Sequence, residues 1–418
     1  MHAVSIALTL TMAATGWSGG HNVIRERAIT GLPAWQQELL GDAADALCND
    51  YSALQDQSSN EHIDLATYCR PEGANVSLHD VNAVQQSTIA FRWYLERIGA
   101  AVRAGEMDEA ARYLGVLCHW IEDVGSMSVH CTEGFVDETS LRELIPPPGD
   151  ERKHHYLYAA SGISDTGRYD MPATEEHTPV LLGRTVKEAA LHIQRRQRLQ
   201  ARATRQVIVP FVMDEAHGDG SVAAKLRGRL VSNASRTSAD IIYTALCLAT
   251  ERIEGDSAHL DEVPLTDFVS DYRGGTSSTP WRWTPFVLDA CYDQQRNVAP
   301  LELPTAEGTV QFERGVGMGV PFALKWTLGP AGVYARVVTT VGLHPASAEG
   351  TQATFVLLAN GEEIARTEPV AAGAPCVILD APLPMEGDAI ELTLETRLPE
   401  GASGAGALAV WGEPRLVK

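Results

Sequence analysis

Two hydrophobic rhythms divide the chain. From about residue 17 to residue 253, apolar side chains return every three to four positions, most clearly over 85–105 (QQSTIAFRWYLERIGAAVRAG) and 107–124 (MDEAARYLGVLCHWIEDV). That spacing lines one face of an α-helix, and it predicts further helices over 21–29, 182–207 and 237–253. After residue 255 the period shortens to two. Segments 332–341 (GVYARVVTTV), 353–358 (ATFVLL) and 389–394 (AIELTL) alternate or run apolar, and turn chemistry such as Asn360-Gly361 separates them. The expected architecture is an all-α domain over 17–256, a linker over 257–280 that includes the Gly-, Ser-, Thr- and Pro-rich run YRGGTSSTP, and an all-β jelly-roll sandwich over 281–418. The stretch 146–176 is rich in Pro, Gly, Ser and Asp and reads as a long loop of the kind that serves a site.

Composition agrees with two folded domains. At 418 residues the chain exceeds one ordinary core, and 44% hydrophobic residues exclude disorder. With 33 Lys+Arg against 54 Asp+Glu the formal charge is −21, which disfavours binding to a nucleic-acid duplex or an anionic membrane as the main activity. A multivalent cation held in a site would reverse that locally. Residues 2–16 (HAVSIALTLTMAATG) fit a signal-peptide core, so the segment 1–16 is read as a signal peptide. Ala14 and Gly16 satisfy the small-x-small cleavage rule, cleavage would expose Trp17 as the new N-terminus, and the mature chain is expected to be secreted or periplasmic without a transmembrane anchor. Seven cysteines without a CxxC pair exclude a zinc ribbon and a thioredoxin-type motif. Cys48 with Cys69, or Cys118 with Cys131, are the candidate bridges, against buried free thiols.

The densest chemistry lies over 118–130 (CHWIEDVGSMSVH). On a helix His119 and Asp123 stand at i and i+4, so an imidazole and a carboxylate project from one face of an otherwise apolar segment. A charge buried there needs a metal or a hydrogen-bonded partner. An isolated H-x3-D is more often a structural pair, but other ligand-type residues are scattered along the chain: His21 shortly after Trp17, His62 twelve residues after Asp50, His130 seven after Asp123, and the doublet His154-His155 in the long loop. Imidazoles and carboxylates are the ligands zinc takes outside thiolate sites.

On these residues the segment 17–253 resembles the superfamily of zinc-dependent phospholipases C and S1/P1 nucleases, all-helical secreted phosphodiesterases holding three zinc ions. Trp17 and His21 match its N-terminal Trp and nearby ligand His. Asp50 and His62 match its Asp and following His, and Leu114-Gly115 through His119, Asp123 and His130 resemble its motif "LG..LHY.GDV..P.H". The resemblance implies that Asp123 bridges two zincs, with Asp50, His62 and His119 on one and Trp17 and His21 on the other, and that Asp50 orients or deprotonates the attacking water. Two departures bear on the third ion. His130 follows the Asp by seven residues rather than six, and neither His154 nor His155 is followed by an acid four positions on. The site is therefore expected to hold two or three zincs, with His130 and His154 or His155 on the third. The implied substrate is a phosphodiester, either a phospholipid head group or single-stranded nucleic acid. The alternative is a non-catalytic carbohydrate-binding protein with an eroded metal site.

The segment 281–418 resembles the NPCBM carbohydrate-binding modules, through Phe312 to Gly317, Tyr334 to Gly342, Phe355 to Gly361 and Ala409 to Pro414. That likeness implies a galactose-binding-like sandwich directed at cell-surface or matrix glycan. Trp281, Trp283 and Trp411 are either sugar-stacking platforms or packed edge residues. The basic run Arg195, Arg196, Arg198, Arg202 and Arg205 is read as a solvated helix face, with a phosphate-binding stripe as the alternative that would suit a nuclease.

Overall fold

Helix follows where the three-to-four spacing predicts it. The computed structural model describes residues 20–52, 54, 68–69, 71, 83–125, 177–255, 257–274, 281 and 284–418. Eight α-helices lie among them: α1 (His21–Thr30), α2 (Ala34–Leu40), α3 (Ala43–Asn49), α4 (Val84–Ala104), α5 (Met107–Val124), α6 (Val186–Arg205), α7 (Ile208–His217) and α8 (Ser221–Thr250). Helix α5 is buried on every side from Tyr113 to Val124, as its near-continuous apolar sequence requires. The expected helices over 21–29, 85–105, 107–124, 182–207 and 237–253 correspond to α1, α4, α5, α6 and the second half of α8. The 146–176 loop lies outside the described residues.

The second half is an antiparallel β-sandwich. One sheet runs β14 (Val377–Pro382), β10 (Arg336–Leu343), β16 (Ala409–Val417), β8 (Gly315–Met318) and β3 (Phe286–Leu288), with β1 (Glu262–Pro264) also on β16. The other runs β12 (Glu362–Arg366), β11 (Gln352–Ala359), β15 (Ile390–Arg397), β9 (Phe322–Leu328) and β2 (Ser270–Gly274), with β13 (Val370–Ala371) also on β11, while β4 (Cys291–Tyr292) with β5 (Val298–Ala299) and β6 (Leu301–Thr305) with β7 (Gly308–Phe312) form two-stranded ribbons. Alternation decides which face turns inward: Phe322, Leu324, Trp326 and Leu328 of β9 and Ile390, Leu392 and Leu394 of β15 are buried in the shared core. Asn360 and Gly361 both take positive φ, 53° and 82°, giving the tight turn that joins β11 to β12.

Within 257–280, expected as a linker, β1 pairs with β16 and β2 pairs with β9, so strands of the sandwich are present from residue 262. The chain forms two compact units, one of residues 1–69, 107–179 and 200–242, the other of 70–106, 180–199 and 243–418. The second therefore includes helical segments. Within it α6 presents Glu188 to the Lys418 ammonium at 2.5 Å, His192 to the Tyr334 hydroxyl at 2.9 Å and Arg195 to Asp267 at 2.5 Å. These residues, four and then three apart, lie along one stripe of the helix. Arg195 is thus engaged by the sandwich, and Arg196, Arg198, Arg202 and Arg205 are all partly buried, so the basic run is not a fully solvated face.

Cys48, Cys69, Cys118, Cys247, Cys291 and Cys376 are free thiols, so a Cys48–Cys69 bridge is not formed, and Cys131 lies outside the described residues. Trp281 and Trp411 are fully buried. The Trp281 ring N–H donates to the Ala407 carbonyl at 3.1 Å, and Trp411 meets Phe355 edge-on at 5.4 Å between ring centroids. Neither offers a face to a sugar, whereas Trp283 lies outside the described residues. Among the described residues no helix is long and apolar enough to cross a membrane.

Candidate metal centre

The site is assembled from α1, the turn after α3, α5 and the part of α8 around Ser238, residues that belong to the first unit. Helix α1 buries His21, Ile24, Arg25 and Ala28, the i, i+3, i+4, i+7 stripe of an amphipathic helix, with an imidazole and a guanidinium at two of the four positions. Helix α5 supplies His119, Glu122 and Asp123, also at i, i+3 and i+4 and all fully or almost fully buried. Gly115 lets the chain after α3 lie against α5: a Cβ there would stand 2.7 Å from the Tyr51 carbonyl oxygen. That approach carries the Ser52 carbonyl to the His119 ring.

His21, His119 and Asp123 converge, with one potential ligand atom from each lying within 4.8 Å of the others. The His21 Nε2 is 3.1 Å from Asp123 Oδ1, and the His119 Nε2 is 3.1 Å from Asp123 Oδ2. The two imidazoles stack, 4.2 Å between centroids and 23° between planes. Their other nitrogens are committed elsewhere. His119 Nδ1 lies 2.9 Å from the Ser52 carbonyl oxygen, which can only accept, so this nitrogen carries a proton and donates. His21 Nδ1 lies 2.7 Å from Glu122 Oε2.

Glu122 is ionised. Burial would raise its carboxyl, but the Arg25 guanidinium, His21 and the Ser238 hydroxyl together bring it down to about 2. Arg25 donates to Glu122 through Nε at 3.2 Å, and Ser238 donates at 2.8 Å. An ionised Glu122 accepts, so His21 Nδ1 is a donor too. Asp123 is likewise held well below the usual carboxylate range, with burial outweighed by His119 and His21.

This leaves two Nε2 atoms facing one carboxylate. In neutral rings they are lone pairs aimed at anionic oxygens, an arrangement that needs positive charge between them. Protonating both would place two cations in stacked, buried rings beside Arg25, and one proton can bridge only one of the two pairs. A divalent cation accepts lone pairs from imidazole and carboxylate alike. The Nδ1–H groups bonded to a carboxylate and a backbone carbonyl are the outer partners that metal-ligating histidines characteristically have. The donor set therefore fits zinc.

Of the predicted ligands, the structure brings together His21, His119 and Asp123. Asp50 caps the C-terminal end of α3 and is exposed, outside the group of three that converges among the described residues. The chain turns after α3 so that Ser52, two residues on, faces the cluster instead. Trp17, His62, His130, His154 and His155 lie outside the described residues. The sequence reading passed over Arg25, Glu122 and Ser238. Spacing offered a signal for the first two, because Arg25 follows His21 by four residues and Glu122 follows His119 by three. Ser238 had none.

No family model matches the chain, and no curated protein matches it. Among solved structures, the chain is similar to the CBM51-2 and INT domains of Clostridium perfringens ZmpB, at 17% identity over 38% of this chain and 31% of that one, with a TM-score of 0.30. It thus spans about a third of the length of that structure. It is similar to the CBM51 module of C. perfringens GH95, solved with methyl-galactose, at 15% identity over 37% of this chain and 99% of that one, with a TM-score of 0.31. It is also similar to C. perfringens alpha-toxin from an avian strain, at 11% identity over 97% of this chain and 93% of that one, with a TM-score of 0.36.

Proposed function

We propose that the chain is a secreted, zinc-dependent phosphodiester hydrolase of the phospholipase C type, and that its sandwich is a glycan-targeting module. The supporting observation is the convergence of His21 Nε2, His119 Nε2 and the Asp123 carboxylate, with both Nδ1 atoms already committed as donors. In this reading Trp17, His62, His130, His154 and His155 complete a shell of two or three zincs. Bound zinc supplies Lewis acidity toward phosphoryl oxygens and brings water close to ionisation at neutral pH. The protein's own part is to offer lone pairs in fixed directions. His21 and His119 cannot turn without breaking their Nδ1 bonds, and Asp123 on buried α5 can bridge because both of its oxygens face imidazoles. The cations also answer the acidity of the chain, since the pocket becomes locally positive inside a shell of net charge −21.

A nuclease on the same metals is the second reading. The basic run that favoured it is weakened by the engagement of Arg195 with Asp267 and the partial burial of its neighbours. The test is metal analysis of the secreted chain followed by a substrate pair, choline phospholipid against single-stranded DNA. Two or three zincs per chain and release of phosphocholine are expected. Fewer than two zincs would overturn the enzyme reading and favour the binding-protein alternative, and preferential cleavage of DNA would move the assignment to the nuclease.

A further inference from the structure

We propose that Glu122 is a positioning residue of the metal centre: its carboxylate, clamped by Arg25 and Ser238, holds His21 as the Nδ1–H tautomer so that Nε2 faces the metal position. The inference rests on the zinc reading above. In the motif that the helical half resembles, the residue before the bridging Asp is Gly. Here it is Glu122, a side chain the motif does not provide for.

The clamp is made by hydrogen bonds to both oxygens. Arg25 donates through Nε to Glu122 Oε1 at 3.2 Å and through Nη2 to Oε2 at 3.4 Å, Ser238 Oγ donates to Oε1 at 2.8 Å, and His21 Nδ1 donates to Oε2 at 2.7 Å. Arg25 is itself immobilised by the Leu47 and Gly115 carbonyls at 3.1 and 2.6 Å. Each oxygen of Glu122 is thus assigned to a partner, and the carboxylate cannot rotate without breaking one of these bonds. Metal-ligating histidines donate their second ring N–H to such an outer partner, which fixes tautomer and ring orientation. For His21, the first residue of α1, that partner comes from α5. His119 is held differently, by a backbone carbonyl. The two rings therefore respond differently to one substitution.

Removing an outer-shell partner of this kind costs roughly 10- to 100-fold in metal affinity. The proposal predicts that Glu122→Gln, which keeps an accepting oxygen but loses the charge, weakens zinc binding at the lower end of that range and that Glu122→Ala weakens it at the upper end. Zinc affinity is read by chelator competition on the full chain, with helix ellipticity as the folding control. Since Glu122→Ala could unfold the chain, the second measurement uses none of the variants: long-range ¹H–¹⁵N spectra of the zinc-loaded native chain. They should show a proton on Nδ1 of both His21 and His119. A His21 proton on Nε2, or unchanged zinc affinity in folded Glu122→Gln, would overturn the positioning role while leaving the metal site standing. A native chain that binds no zinc would instead overturn the underlying reading and this proposal with it.

Discussion

Replacing Arg25 with Met tests the electrostatics of the site apart from any metal. The guanidinium is fully buried and donates to both Glu122 oxygens, at 3.2 and 3.4 Å, and to the Leu47, Gly115 and Ser52 carbonyls, at 3.1, 2.6 and 3.4 Å. Methionine fills much of the same volume but leaves Glu122 as a buried anion without its guanidinium partner. Breaking a buried pair from one side costs about 3–5 kcal/mol. The direction of the Glu122 carboxyl agrees: against the effect of burial, Arg25, with His21 and Ser238, brings it from 4.5 down to about 2. The expected loss in Arg25→Met is therefore about 3–5 kcal/mol, measured at neutral pH by urea unfolding of helix ellipticity with a chelator present. The double variant Arg25→Met with Glu122→Leu removes both charges and should recover most of that loss, because an apolar pair of similar volume avoids the desolvation cost. The sign with pH is fixed as well. A depressed carboxyl contributes stability that is complete above its ordinary value and is lost as pH falls toward the folded one, so acidification from about pH 5 to 3 should destabilise the native chain more than the Arg25 variant. A loss below about 1 kcal/mol, or a double variant no more stable than the single one, would refute the buried-pair account.

Other outcomes follow from the same contacts. Asp123→Asn should abolish stoichiometric zinc binding, checked by metal analysis after dialysis, because a neutral amide is a far poorer zinc ligand than a carboxylate. Gly115→Ala should cost about 1–3 kcal/mol and weaken zinc binding, since its Cβ would press on the Tyr51 carbonyl and move Ser52 away from His119; urea unfolding and chelator competition check the two effects. Trp411→Ala should cost about 3–5 kcal/mol in thermal or urea melts as a core truncation, with no specific effect on a sugar surface. His192 is buried against Tyr334, and burial together with Arg195 and Lys418 holds it well below the ordinary histidine value of 6.5. Stability from such a neutral ring is present above that value and lost below it, so the sandwich unit should melt earlier as pH falls under about 6.5, and His192→Gln should remove that dependence.

How far the sequence could be read depended on distance along the chain. The helical and two-residue rhythms, the turn at Asn360-Gly361 and the His119–Asp123 pair are local: one helix or one hairpin brings the residues together, so spacing alone identifies them. The partners that turn that pair into a chelating site are not local. His21 and Arg25 reach Glu122 from a helix about a hundred residues earlier, and Ser238 reaches it from one more than a hundred residues later. Nothing in their spacing relates them to α5. Asp50, a residue of ligand type, lies exposed at the end of α3, while the Ser52 backbone two residues on faces His119, a difference its spacing does not carry. In the sandwich, alternation fixed which strand positions face inward, but only the packed sheets decided that Trp281 and Trp411 belong to the core rather than to a sugar face. The same holds for α6. Its charges read as a solvated basic face, and the tertiary structure spends Arg195 on Asp267, because a charge's role is set by what lies across from it in space, and a sequence lists only what lies beside it.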